Sequence, residues 1–109
     1  MPIKAKWHPF KDNVVDLAPE KAGVYELGYG ETVVYIGSAE TSIQSRLRSH
    51  KKMKKFMKVT QFRFRRTTSE DARSTEAKLC NDFMKAHKGQ LPRLQGRAPK
   101  IRKSGWSWL

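Results

Sequence analysis

Two short segments rich in strand-forming residues lie close together, and they constrain the fold more than any other feature of the chain. Residues 23–27 and 32–36 are dominated by valine, tyrosine, leucine and isoleucine, and a Gly-Tyr-Gly-Glu turn at residues 28–31 separates them. This pattern predicts a β-hairpin. Its loop length decides where two tyrosines lie. A three-residue loop places Tyr25 opposite Tyr35, whereas a two-residue loop turns them to opposite faces.

The residues after the hairpin predict a helix and then a third strand. Thr41 with Gln44 three residues later fits a capping box, which predicts a helix from about residue 42 to residue 50. Residues 59–66 alternate in character, with two phenylalanines on one side and arginines on the other. This alternation predicts a strand that packs through its phenylalanines and has a basic outer face.

A second helix completes the predicted fold. Thr68 is followed by two acidic residues, the pattern of a helix start, and Gly89 is a plausible stop after a helix that ends near residue 87. The sequence therefore predicts an α+β fold, in which a small antiparallel three-stranded sheet is flanked by helices in the order β-β-α-β-α.

The length of the chain indicates one domain. A chain of 109 residues has room for one modest hydrophobic core. We expect residues 1–22 to form an irregular lead-in and residues 23–95 to form the domain. Residues 96–109 are expected to be a basic C-terminal tail that carries Trp106 and Trp108.

The charge of the chain indicates a polyanionic partner. Lys and Arg number 23 against 10 Asp and Glu, which gives a formal net charge of +13. No acidic residue lies between Glu40 and Glu70 or after Asp82, so the positive charge is directed rather than evenly spread. Nucleic acid is the commonest partner of such a surface. The residues expected to contact it are Arg48, Lys51, Lys52, Lys55, Arg63 and Arg65.

Membrane association and cysteine chemistry are not expected. No apolar run approaches the ~20 residues needed to cross a bilayer, and residues 1–10 contain no apolar segment typical of a secretory signal. We therefore predict a cytoplasmic protein. Cys80 is the only cysteine, which excludes an internal disulfide and a cysteine-based metal cluster. It falls on the apolar side of the second predicted helix, where it is expected to be a small buried hydrophobe.

Glu76 is the most informative single residue. On the second predicted helix it lies four residues after Ala72 and three before Leu79, within the apolar stripe. A carboxylate directed toward a core is unfavourable unless it is paired or bound to a metal. Two interpretations follow: the side chain reaches solvent or a nearby arginine, or it is a ligand for a hard divalent cation, which prefers oxygen and often uses only one or two carboxylates.

Two residues on the first predicted helix form a second candidate group. Arg46 and His50 are four apart and share a face. The arginine can hold a phosphate oxygen and offset charge that builds in a transition state, and the histidine can assist by hydrogen bonding or proton transfer. Plain packing is the alternative for the histidine. A tyrosine such as Tyr25 or Tyr35 is ordinary in a strand, but a phenol near a cation has a lowered pKa and could take a proton from water.

Taken in order, these residues resemble the signature of the GIY-YIG nucleases. Gly23-Val24-Tyr25 and, after nine intervening residues, Tyr35-Ile36-Gly37 resemble the two tripeptides of that family. Arg46 stands where the family has an arginine on a helix, and Glu76 matches the place of its metal-binding glutamate. The resemblance covers roughly residues 23–95.

The resemblance implies a mechanism as well as a fold. It implies one Mg²⁺ or Mn²⁺ held by Glu76 and waters, with Lewis-acid stabilisation of the leaving 3′ oxygen. It further implies that Tyr25 activates or places the attacking water, that Tyr35 orients phosphate or water, and that Arg46 steadies the pentavalent phosphate. Nucleic acid, DNA in the first instance, is the implied substrate.

Three positions depart from the family pattern. Many members have a lysine where Ser38 stands and a tyrosine where His50 stands, and a late asparagine of the family corresponds at best to Gln95. Ser38 and Gln95 are therefore weaker site candidates than Tyr25, Tyr35, Arg46, His50 and Glu76.

The predicted function is a divalent-metal-dependent endonuclease of low sequence specificity, because no recognition helix or second DNA-binding domain is evident. A monomer or weak dimer is expected. The first alternative is an inactive nucleic-acid-binding module of the same fold, motivated by the three departures. The second is a basic protein that coats RNA, in which the two tripeptides are a coincidence.

Overall fold

The computed structural model describes residue 3 and residues 5–95, and these form an α+β domain around one antiparallel sheet. Its elements in chain order are β1 (His8–Pro9), α1 (Asp12–Val15), β2 (Gly23–Tyr29), β3 (Thr32–Ala39), α2 (Ile43–Lys51), a 3-10 turn (Lys54–Phe56), β4 (Gln61–Arg66) and α3 (Ser69–Ala86). The strand order across the sheet is β1-β4-β2-β3. None of the helices in this described part of the chain combines the length and hydrophobicity that a bilayer-spanning segment requires.

The predicted fold class is confirmed, but the sheet has four strands rather than three. The additional strand is β1, which pairs with β4 through His8 opposite Phe62 and Pro9 opposite Gln61. It is two residues long and contains a proline, which is tolerated at a sheet edge. So short a strand has no alternating pattern to detect. The region predicted to be an irregular lead-in therefore contributes both β1 and α1.

A β-bulge sets the register of the hairpin. The turn is tight, because Tyr29 pairs with Thr32. The register then shifts at Leu27, which lies opposite Tyr35, and Tyr25 lies opposite Gly37. A two-residue loop alone predicts that the two tyrosines lie on opposite faces. The extra residue of the bulge shifts the alternation by one position and therefore places Tyr35 on the same face as Tyr25. The two tyrosines share a face of the sheet, but they are diagonal neighbours rather than directly opposed.

The sheet separates two hydrophobic layers. On the face of Tyr25 and Leu27, side chains of α2 such as Leu47 complete the larger cluster of buried residues. On the opposite face, Ile36 packs against Leu79 and Cys80 of α3. The predicted role of Cys80 as a buried hydrophobe is confirmed, and burial raises the pKa of its thiol to about 12.

The helix boundaries follow local capping. Thr68 caps α3 as predicted, with its hydroxyl accepting from the Asp71 amide at 3.1 Å. The cap of α2 is Ser42 rather than Thr41, and the Ser45 amide donates to its hydroxyl at 3.0 Å. The predicted capping box fails because the Gln44 amide instead donates to main-chain carbonyls of the segment after α1.

The ends of the domain differ in what they contribute. Ile3, Phe10, Val15 and Ala18 are buried, so the N-terminal region belongs to the core. Beyond α3 the Gly89 amide donates to the Met84 carbonyl at 2.7 Å, which closes the helix as predicted. The predicted basic tail with Trp106 and Trp108 lies outside the described residues.

Candidate active site

A buried pair of uncharged side chains forms the centre of the site. Tyr25 of β2 has no exposed surface and His50 of α2 is 4% exposed, and the Tyr25 hydroxyl oxygen lies 2.6 Å from His50 Nε2. Burial is the main cause that raises the pKa of Tyr25, and Arg46 opposes it. Burial also lowers the pKa of His50 to about 4, helped by the positive charges of Arg46 and Lys55. Both groups are therefore neutral near pH 7.

A glycine makes room for the buried tyrosine. Gly37 lies directly opposite Tyr25 in the hairpin, and a Cβ built on Gly37 would stand 2.4 Å from both the Cζ atom and the hydroxyl oxygen of Tyr25. The ring therefore crosses the strand where a side chain is absent. This close approach is a physical reason for glycine to follow the Tyr35-Ile36 pair.

Aromatic contacts surround His50. Its ring centroid lies 5.0 Å from that of Tyr35 and 4.5 Å from that of Phe56, both edge to face. Tyr35 and Tyr25 are stacked with centroids 6.4 Å apart. Tyr35 is only partly buried, so of the two phenols it is the one that meets solvent. Burial and the carboxylate of Glu76 raise the pKa of Tyr35.

Arg46 supplies a positive charge at the solvent side of this group. It lies one helical turn before His50 on α2 and is exposed. The hydroxyl of Tyr25 is the largest cause that raises the pKa of Arg46, and Tyr35 and Glu76 act in the same direction. The guanidinium therefore stands near both phenols and the carboxylate, where it can contact an anion that binds from solvent.

Glu76 joins the site from the other face of the sheet. Its helix, α3, packs against β3, the outer strand, so side chains from both faces come together around this strand. The Ser38 hydroxyl donates a hydrogen bond to Glu76 Oε1. Burial raises the pKa of Glu76, while Ser38, Arg46 and Arg73 act against that rise. The carboxylate is thus part-buried, oriented by Ser38 and within electrostatic reach of Arg46.

Gln95 acts on the backbone of the site rather than on its interior. Its Oε1 accepts from the Ile36 amide at 2.8 Å, and its Nε2 donates to the Ile36 carbonyl at 2.9 Å. The neighbouring Leu94 amide donates to the Val34 carbonyl at 2.8 Å. The segment therefore covers the outer edge of β3 between Tyr35 and Gly37, and both polar atoms of the Gln95 side chain are engaged there.

The donor set suits one hydrated divalent ion. No group of three or more histidine, cysteine, aspartate or glutamate side chains comes together as a metal site in residues 3 and 5–95. Glu76 is the carboxylate of the candidate site, and Ser38 uses only one of its oxygens. Magnesium keeps most of its waters and often binds through one or two carboxylates. The residues present therefore fit a single Mg²⁺ or Mn²⁺ that retains much of its hydration shell.

Three of the basic residues assigned to nucleic acid are already engaged within the protein. Arg63 is part-buried: its Nε lies 2.7 Å from the carboxylate of Glu26, and its guanidinium stacks on Trp7 at 4.1 Å. Arg63 therefore pairs with Glu26 rather than standing free on an outer basic face, and its contact with nucleic acid stays a prediction. Arg48 pairs with Asp16 at 2.8 Å on the surface. Lys51 donates to a main-chain carbonyl of the N-terminal segment at 3.0 Å.

The remaining basic candidates are exposed. Lys52 and Arg65 lie on the surface, and Lys55 Nζ is 5.9 Å from the centroid of the Tyr35 ring. Phe56 packs against Tyr35 and His50, a contact that the sequence did not predict. Its signal in the sequence is a single aromatic residue within a run of lysines and methionines, the pattern of a short segment held to the core by one side chain.

The fold is that of a known nuclease domain. Crystal structures of the GIY-YIG N-terminal endonuclease domain of UvrC from Thermotoga maritima, bound to its catalytic divalent cation, superpose on this chain. A point mutant of that domain gives a TM-score of 0.59 at 24% identity, covering 78% of this chain and 93% of the domain. The magnesium-bound form gives a TM-score of 0.58 at 23% identity, covering 76% of this chain and 92% of the domain. At this identity the similarity shows the fold.

Sequence comparison identifies the family of the chain. No curated protein matches it at a significant level. Residues 1–86, from the N-terminal segment through α3, match one family model across Tyr25, Tyr35, Arg46, His50 and Glu76. The chain belongs to the family described as Domain of unknown function (DUF7508).

Proposed function

We propose that this protein is a divalent-metal-dependent endonuclease that hydrolyses phosphodiester bonds of nucleic acid, DNA in the first instance, with low sequence specificity. The observation that carries the proposal is the buried hydrogen bond between Tyr25 and His50, 2.6 Å long, with Arg46 beside it and Glu76 within electrostatic reach. The fold supports it, since the similar domain of UvrC is an endonuclease domain that binds a catalytic divalent cation.

Tyr25 and His50 together supply a route for a proton. If the hydroxyl donates to Nε2, the imidazole proton resides on Nδ1, which is buried and has no hydrogen-bond partner among the described residues. A lone pair of the Tyr25 oxygen then accepts a proton from water while its own proton passes to Nε2. The water oxygen forms a bond to phosphorus, and the 3′ oxygen leaves with the electron pair of the broken bond.

The charge of the substrate favours this transfer. In the free protein Arg46 and Lys55 disfavour a protonated His50. A phosphate that binds to Arg46 gains negative charge as water attacks, and this charge offsets both cations. Tyr25 has no exposed surface, so the reaction requires a rearrangement that admits water to its hydroxyl, and we propose that Arg46, which is hydrogen-bonded to Tyr25, moves toward the phosphate.

Glu76 would hold the divalent cation, with Ser38 fixing the orientation of the carboxylate. When bound, the cation supplies Lewis-acid stabilisation of the leaving oxygen. Tyr35, partly exposed between His50 and solvent, is placed to orient the phosphate or water. Gln95 keeps β3 in position by its two bonds to Ile36.

An inactive nucleic-acid-binding module of the same fold is the second candidate. The complete burial of Tyr25 is the observation that favours it, because a hydroxyl without access to water cannot act as a base. The two candidates predict the same basic surface and differ only in whether a metal-dependent product forms. A cytoplasmic location and a monomeric or weakly dimeric state stay predictions from the sequence.

Cleavage assays separate the two candidates. Labelled single-stranded DNA, duplex DNA and RNA are incubated with the wild type in Mg²⁺, in Mn²⁺ and in EDTA. Glu76→Gln should lower the cleavage rate on the order of a hundredfold or more, because Lewis-acid stabilisation is worth several kcal/mol. Glu70→Gln, the same change at an exposed position of α3, is the matched control and should cut like the wild type.

Two outcomes of the cleavage assays decide between the enzyme and the binding module. Metal-dependent products from the wild type and from Glu70→Gln, but not from Glu76→Gln, would establish the activity and exclude a contaminating nuclease. Salt-sensitive binding without product in any metal would instead support the binding module.

A further inference from the structure

A surface loop beside the site combines exposed methionines with lysines. We call residues 53–58, Met-Lys-Lys-Phe-Met-Lys, the Met–Lys loop. Its Phe56 is buried at 3% exposure, whereas Met53 is 46% exposed and Met57 is 77% exposed. The lysines of the loop are all exposed: Lys54, Lys55 and Lys58. One aromatic side chain therefore holds a loop whose other side chains face solvent.

The loop is held close to the proposed reaction centre. The Phe56 ring lies 4.5 Å from that of His50 and 5.1 Å from that of Tyr35. The Met53 amide donates to the His50 carbonyl at 3.0 Å, so the loop starts directly at the end of α2. The loop therefore lies next to His50 and Tyr35, two residues of the candidate site, so a nucleic acid bound at the site would lie within reach of it.

The two kinds of side chain fit different parts of a nucleic acid. Lysines attract phosphates without regard to sequence. A thioether side chain is apolar and polarisable, and it gains nothing from a phosphate. Apolar side chains, methionine among them, contact the faces of unstacked bases, and opening a stacked step to reach them costs a few kcal/mol. Flexible methionines are also common on surfaces that bind varied partners. In a regular duplex the base faces are stacked and unavailable.

We propose that the Met–Lys loop binds nucleic acid whose bases are unstacked or unpaired next to the scissile phosphate, with Met53 and Met57 on the bases and the lysines on the flanking phosphates. The substrate class is thus a fork, gap, flap or single strand rather than continuous duplex. The inference rests on the proposed function, which it narrows, and charge complementarity identifies the partner. No acidic residue lies between Glu40 and Glu70 to oppose it.

A binding experiment tests the loop without cleavage. Fluorescence anisotropy is measured in EDTA on Glu76→Gln protein with four labelled probes: a forked DNA, the matching full duplex, the unpaired DNA strand and the same strand as RNA. Met57→Gln keeps the side-chain length and removes the apolar character. Because Met57 is 77% exposed, its replacement leaves the core intact. Leu17→Gln, at an apolar residue that is 82% exposed and outside the loop, is the matched control.

We expect tighter binding to the fork and the unpaired strand than to the duplex. Met57→Gln should weaken binding to the unpaired probes about fivefold, a loss consistent with partial burial of one apolar side chain, and adding Met53→Gln should weaken it further. The duplex affinity and the salt dependence should not change, since the lysines remain. The control should match its parent on every probe. The DNA and RNA strands separate the two sources of unpaired bases.

Each other outcome is decisive. Equal affinity for fork and duplex, or equal affinity of Met57→Gln and its parent for the fork, would overturn the inference even if the wild type cuts DNA. A Met57-dependent preference for unpaired probes in a protein that yields no metal-dependent product would overturn the proposed enzymatic activity and support the proposed nucleic-acid-binding surface. Binding to none of the probes would overturn the inference, and the cleavage assay on the wild type would decide the enzymatic activity separately.

Discussion

Two adjacent residues of β2, Tyr25 and Glu26, point to opposite faces of the sheet, and each is buried and pairs with a polar side chain. Glu26 is 1% exposed and pairs with Arg63 at 2.7 Å, and Trp7 covers the guanidinium. Tyr25 pairs with His50 at 2.6 Å. The first pair carries two opposite charges that compensate each other. The second is uncharged, and its Nδ1 atom has no partner within the described residues.

Under the proposed function, the difference separates a structural pair from a chemical one. In an ion pair the two partners offset each other's charge, and removing one of them leaves the other charge uncompensated. A buried polar atom without a partner is rare and needs a reason, and a catalytic role is one such reason. Under the proposed function the two pairs therefore differ in role, and the difference follows from their charge and from the unpartnered Nδ1 atom of His50.

Breaking the structural pair should have the largest effect. Arg63→Ala leaves the Glu26 carboxylate buried without its partner, which should lower the free energy of unfolding by about 3–5 kcal/mol. Urea denaturation measures the change. Arg65→Ala, two residues along the same strand and exposed, is the control and should change stability by less than about 0.5 kcal/mol. A small loss of stability in Arg63→Ala together with a large loss of nucleic-acid binding would support the predicted role of Arg63 as a phosphate contact.

The neutral pair predicts a pH dependence with a definite sign. Burial lowers the pKa of His50 to about 4, so the unfolded chain binds a proton at this residue between about pH 6.5 and pH 4 that the folded protein excludes. Above this window the folded protein therefore keeps the full stability that neutral His50 contributes. As the pH falls through the window, the free energy of unfolding decreases by about 3 kcal/mol.

His50→Gln isolates this effect, because glutamine does not titrate and can still bond to the Tyr25 hydroxyl. Urea denaturation of both proteins across the window should give a difference in unfolding free energy that changes with pH in favour of the variant at low pH. Parallel curves for the two proteins would show that His50 takes up its proton as readily in the folded state.

A smaller effect is expected from the glycine that admits the tyrosine ring. Gly37→Ala introduces a Cβ that would stand 2.4 Å from the Tyr25 ring, so the ring or the strand must shift. Overpacking of this kind lowers stability by about 1–3 kcal/mol. The shift should also break the bond to His50 and reduce cleavage.

A double-mutant cycle identifies the cause. In a Tyr25→Ala background, Gly37→Ala should have almost no further effect on stability, because the ring it displaces is gone. An equal loss in both backgrounds would place the clash elsewhere.

The sequence predicts most reliably what local patterns encode. The strand formers around the turn, the Thr68 cap and the apolar stripe that contains Glu76 each depend on residues close in the chain, and the structure places them as expected. The approach of Arg46, His50 and the tyrosines was suggested by the resemblance to a known signature rather than by any local pattern. The spacing of the two tyrosines alone did not decide the register of the hairpin.

What the sequence could not predict depends on distant partners or on a single inserted residue. The bulge that sets Leu27 opposite Tyr35 leaves the two-residue alternation intact on either side, so no period reveals it. Arg63 pairs with Glu26, which is 37 positions away in the sequence, and its neighbours in the chain do not distinguish it from an exposed strand arginine. The role of Gln95 likewise depends on where the chain returns to β3.

The smallest predicted effect concerns Ser38, which extends the comparison to the carboxylate of the site. Its hydroxyl donates to Glu76 Oε1, and this hydrogen bond is part-buried. The other lone pairs of the carboxylate stay available for a cation. Ser38→Ala should keep Glu76 as a ligand while it loses its fixed orientation. We expect Mn²⁺ affinity, measured by calorimetry on folded protein, to fall about tenfold, the lower end for loss of a partner that orients a ligand. Ser49→Ala, at an exposed serine of α2, should not change it. Unchanged affinity in Ser38→Ala would mean that the hydrogen bond belongs only to the metal-free state and is given up when the cation binds.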